Sequence, residues 1–136
     1  MFRVPAIFPT IFCVGGSVLL LVTGVLHGSG YSKVSDAISK SNAVAFLKHV
    51  VPGLWVHFSI HLVVLAAFGF VLAFSIQRVR ILLVLLALAA AADALWAYSL
   101  AGFFVGVALP AAAALCFALA ALAPGNSIPR ARHARR

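Results

Sequence analysis

Four apolar runs of about twenty residues each dominate the chain, and that is the length a helix needs to cross a hydrocarbon core of ~30 Å. They begin near Ala6, Pro52, Ile81 and Phe103, and they do not alternate apolar with polar residues, so a transmembrane β-barrel is excluded. Only 9% of the residues are charged and 65% are hydrophobic. A soluble domain usually carries charge on roughly a quarter of its residues, so this chain cannot cover itself with polar groups. The fold expected is all-α, an integral membrane four-helix bundle running up-down-up-down.

The expected helices cover about 6–27, 52–76, 81–99 and 103–122, within a transmembrane domain of residues 1–124 followed by a basic tail at 125–136. The first run follows Arg3 as a leader would, but it is long and has no small-x-small cleavage site, which reads as a retained helix. Pro5, Pro9 and Pro52 suit first helical turns, where a missing N–H costs nothing. Gly28-Ser29-Gly30 ends the first helix through the permissive backbone of glycine. Val34 and Ile38, with Lys33, Asp36 and Lys40 between and around them, suggest a short amphipathic helix at the membrane surface.

The net charge of +8 would suggest nucleic acid in a soluble protein, but here the arginines lie at chain ends and in the tight Gln77–Arg80 connection. With four crossings, Arg3, Arg78, Arg80 and the four tail arginines share one side, against Lys33, Lys40 and Lys48 on the other. The positive-inside rule then places both termini in the cytoplasm, and the reading is a bacterial cytoplasmic (inner) membrane. Trp55, Trp96 and Tyr98 fall towards the outer side as interfacial anchors. Cys13 and Cys116 are single residues in apolar runs and read as core positions, since no CxxC pair is present.

Gly102, Gly106, Pro110, Ala114 and Ala118 recur every four residues. Such a stripe lets helices approach closely, against the alanine-rich third helix or, through Gly102 and Gly106, in a homo-oligomer or larger membrane complex.

The chemistry is expected around Asp93, a carboxyl group inside the run Ala90–Trp96, where an unpaired charge costs several kcal/mol. His57 and His61 are four apart, on one helical face. Counted at ~1.5 Å per residue from Pro52, they lie roughly 8 and 14 Å deep, and Asp93 lies roughly 10 Å from the turn at Leu100. His27, at the end of the first helix, would join from above. Three roles fit this group. It could be a structural tie between helices. It could be a site for a transition metal held by His57, His61, Asp93 and His27, for a haem, or for a quinone. It could also be an acid–base centre, with Asp93 catalytic, that relays protons or acts on an isoprenoid, sterol-like or quinone substrate. The leading expectation is a binding or accessory protein; the alternative is a small intramembrane enzyme. No nucleotide-binding loop, nucleophile elbow or zinc-protease motif is present.

Overall fold

The structure, a computed structural model, describes residues 7–75 and 80–123. The expectations for Arg3, Arg78 and the basic tail at 125–136 lie outside the described residues. Four long helices, α1 (Ile7–Ser29), α3 (Ala45–Phe74), α4 (Arg80–Ala101) and α5 (Val105–Leu122), are joined by a short one, α2 (Tyr31–Ser39). All four long helices are long and apolar enough to cross a membrane. Their outward faces are apolar too: Phe74 is 73% exposed, Leu95 69% and Phe103 79%. Lipid, not water, suits that surface, and the backbone hydrogen bonds are satisfied within the helices. The chain is an integral multi-pass membrane protein.

The core forms where small residues let helices meet. On α1 the buried face is Pro9, Cys13, Gly16, Ser17, Leu20 and Gly24, at spacings of three and four. It faces Ser59, Leu62, Ala66 and Gly69 of α3. Gly24 lies against Ser59 and Leu62, while the Cys13 thiol donates to the Gly69 carbonyl at 3.2 Å. Phe117 of α5, fully buried, fills the space that Gly16 and Gly69 leave open; a Cβ on Gly16 would come within 2.9 Å of its ring. Helix α4 packs on α5, and α1 packs on both α3 and α5, whereas α3 and α4 barely touch. At one end of the bundle the Arg80 guanidinium donates to the Ala121 carbonyl at 2.5 Å, which satisfies the last turn of α5 and places a cation at a helix C-terminus.

Three sequence expectations change. Helix α3 begins at Ala45, not near Pro52, so Pro52 is inside the helix and buried. Proline is tolerated there because the bundle holds the helix around the missing rung. At ~1.5 Å per residue this 30-residue helix is ~45 Å long, about 15 Å more than a hydrocarbon core. If Phe74 stands at the far edge of the core, the near edge falls close to Trp55 by the same rise. The glycine stripe of α5 also divides. Gly102 has open space around it, and Gly106 meets only Phe104 of its own chain turn. Pro110 of the stripe is buried, with Val107, Ala113, Phe117, Ala120 and Ala121, and Ala114 and Ala118 face the alanines of α4 as expected. Finally, Gly30 is not left-handed (φ −76°); it is small because a Cβ there would stand 3.1 Å from the Trp55 indole. Among the described residues only Gly102, at φ +71°, needs glycine's left-handed freedom, where it caps α4 through its N–H to the Tyr98 carbonyl at 2.8 Å.

Candidate functional site

Asp93 projects from the middle of α4 toward α3, and the side chain is 15% exposed. The group it meets is His61, with Nε2 3.3 Å from Oδ2. That separation is within ion-pair reach, yet Oδ2 is buried and accepts no hydrogen bond of good geometry. The pair therefore bridges the two helices that otherwise hardly touch. The His61 side chain stays 41% exposed on that seam. If Phe74 marks the far edge of the core, His61 would lie ~10 Å inside the near edge, close to the depth of Asp93 counted from the end of α4.

His57 is one turn away from His61, but it is exposed and makes no contact with Asp93 among those the structure shows. Facing the same side of a helix is not sharing a partner: of the two histidines, only His61 stands within ion-pair reach of Asp93.

His27 does not join the pair. It closes a second polar group between α1 and α3. Its ring stacks on Trp55, with centroids 3.9 Å apart and planes at 16°, and meets Phe58 edge-on at 5.0 Å. Its Nδ1 stands 2.9 Å from Ser59 Oγ, while the Ser59 hydroxyl is 3.1 Å from the Trp55 carbonyl. Ser59 has one hydrogen to give, and with that hydrogen on Trp55, His27 Nδ1 is the donor and Nε2 carries the lone pair. The Trp55 indole N–H donates to the His27 carbonyl at 2.6 Å. Trp55 is therefore a packed, hydrogen-bonded part of the bundle rather than a free interfacial anchor, whereas Trp96 is 64% exposed. Phe58 separates the two groups, its ring 6.2 Å from that of His61.

The four residues read from sequence as a ligand set thus divide between two places. Among the described residues, no three His, Cys, Asp or Glu side chains are grouped as a metal ion would need. Ser59, Trp55 and Phe58 are the members that sequence reasoning missed. The signal that pointed to them was His27 itself, a polar ring at the end of an apolar helix that must find a partner.

No family model, curated protein or solved structure matches the chain.

A groove of about 470 Å³ lies elsewhere, between α4 and α5, lined by alanines such as Ala87, Ala91, Ala114 and Ala118. It includes neither His61 nor Asp93 and offers no polar side chain, so the chemistry lies with the pair and not with the groove.

Proposed function

We propose that this small multi-pass membrane protein exchanges a proton at the His61–Asp93 pair, as a binding or accessory protein of a bacterial inner membrane with both termini cytoplasmic and its helices running up-down-up-down. The observation that carries this reading is the Asp93 carboxyl oxygen, buried without a donor and facing an imidazole at 3.3 Å. A structural tie would be aligned and closed. Here the oxygen keeps an unused lone pair, and the imidazole is accessible from the seam. A carboxyl and an imidazole at this spacing can pass one proton between them, and a polar group kept within a membrane helix is most often part of such a pathway.

The α3–α4 seam favours a second reading. The two helices touch little there and the His61 side chain is 41% exposed, so a lipid-soluble molecule with a polar head could reach the pair from the membrane. The pair would then serve as acid and base toward that substrate.

The test needs no ligand. Infrared difference spectra of the full chain in liposomes, recorded across pH, should show a carboxylic acid carbonyl band that titrates, vanishes in Asp93→Asn and shifts in His61→Ala. Asp93→Asn should remain folded and inserted, since a neutral amide removes the need to accommodate a charge. No titrating band in the unaltered protein, with full stability in Asp93→Asn, would reduce the pair to a structural tie.

A further inference from the structure

The pair needs a source of protons, and α3 carries one that neither sequence reading nor the site geometry has used. His49, Gly53, His57 and His61 follow one another at intervals of four, the row of side chains that forms a continuous ridge along a helix. His49, Gly53 and His57 are all exposed, and His61 at the foot of the ridge touches Asp93. Gly53 stands between two of these histidines with nothing within 4 Å of where its Cβ would be, so no side chain packs over the ridge at that level.

The early start of α3 places this row in the right medium. With Phe74 taken as the far edge of the core, the excess length of about 15 Å falls at the start of α3 and would put His49 and Gly53 at headgroup level. His57 lies ~3 Å inside the core edge near Trp55, and His61 lies one turn deeper. The titratable groups nearby do not compete for the route. On α2, Lys33, Asp36 and Lys40 are exposed at the aqueous end, and Lys48 of α3 is tied to the Ser39 carbonyl at 2.9 Å. His27 of α1 is engaged by Ser59 and screened from His61 by Phe58. On α4, Asp93 faces the row at His61, and Tyr98 lies nearer the end of that helix and is exposed.

We infer that the ridge His49–Gly53–His57–His61 is the proton path between the aqueous face on the α2 side and Asp93. This rests on the proton-exchange reading of the His61–Asp93 pair. Each transfer is balanced. The His61 imidazolium gives its Nε2 proton to the Asp93 carboxylate and becomes neutral. His57 then reprotonates His61 through water, and water beside Gly53, or His49, reprotonates His57. In the reverse direction the proton leaves by the same groups.

The experiment follows the Asp93 carbonyl band after a pH jump in liposomes containing the full chain. His57→Ala should slow its appearance by roughly 10²-fold, the low end of what a positioned acid–base group contributes, while leaving the final band intensity unchanged. Added imidazole should restore the rate, which a merely structural role for His57 would not allow. Ile60→Ala, an exposed neighbour outside the row, should leave the rate unaltered. Equal rates in His57→Ala and the unaltered protein, with the band still titrating, would overturn the path alone. A band that never titrates would overturn the path together with the reading on which it rests.

Discussion

A single hydrogen on Ser59 organises the end of the α1–α3 interface. With that hydrogen directed at the Trp55 carbonyl, Ser59 Oγ accepts from His27, and Trp55 in turn donates to the His27 carbonyl. Ser59→Ala leaves the His27 N–H half-buried without its acceptor. It should lower stability by about 1 kcal/mol, between the ~0.6 typical of hydrogen bonds in membrane bundles and the cost of an orphaned buried donor. Unfolding of the variant in detergent by increasing denaturant checks this, and Trp55→Phe, which retains an aromatic ring against His27, should show a loss of similar size. Asp93 could be picked out from sequence because a carboxyl group inside an apolar run is costly wherever the run packs. The choice between His57 and His61 could not be made the same way. Both lie on one side of α3, and only the position of α4 decides which one Asp93 meets. Ser59 and Trp55 were less visible still, since serine in an apolar helix reads as one more small residue until a partner stands beside it.

At the scale of the helices, close approach is carried by Gly16, Gly24 and Gly69 and not by the Gly102–Gly106 stripe. Phe117 fills the gap between α1 and α3, and a side chain at Gly16 or Gly69 would collide with its ring, at Gly69 also with the Ser17 hydroxyl. Gly16→Leu and Gly69→Leu should therefore each cost at least the ~1–3 kcal/mol typical of overpacking a close-packed core. Gly106→Leu should cost clearly less, because the atoms it would meet belong to the Phe104 ring, which is 45% exposed and can swing away. Thermal unfolding of the three variants in the same detergent gives the ranking, and a larger loss at Gly106 than at Gly69 would refute this assignment of the interface. A periodic small-residue stripe shows that a helix can be approached closely. It does not say how far along the stripe the neighbour reaches: on α5 the contact begins near Val107 and Pro110, so Gly102 and Gly106 are left outside it.

For the molecule as a whole, the arrangement of the ends links topology to chemistry. The start of α4 reaches the end of α5 through Arg80 and Ala121, while His27, Trp55 and α2 gather at the opposite end. If the positive-inside rule holds for this chain, the end that carries Arg80 is cytoplasmic and the proposed histidine ridge opens to the outer aqueous face. A reporter active only outside the cytoplasm should be silent when fused after Arg136 and active when inserted near Ser39. A strong signal from the C-terminal fusion would reverse the orientation and make the ridge a cytoplasmic path, with its internal geometry unchanged.

Residue order alone determined that this chain spans a membrane as helices, because runs of this length and hydropathy have no other way to satisfy their backbone in lipid. It also determined that Asp93 must find a partner or a proton within that medium. The tertiary structure decided which partner. It brought His61, and not His57, to the carboxyl group, turned His27 to Ser59 and Trp55, and started α3 at Ala45, seven residues ahead of Pro52. These outcomes depend on the rotation and offset of one helix against another. Such quantities are set by the whole set of contacts around Phe117 and the glycines, and periodicity within any single helix does not contain them.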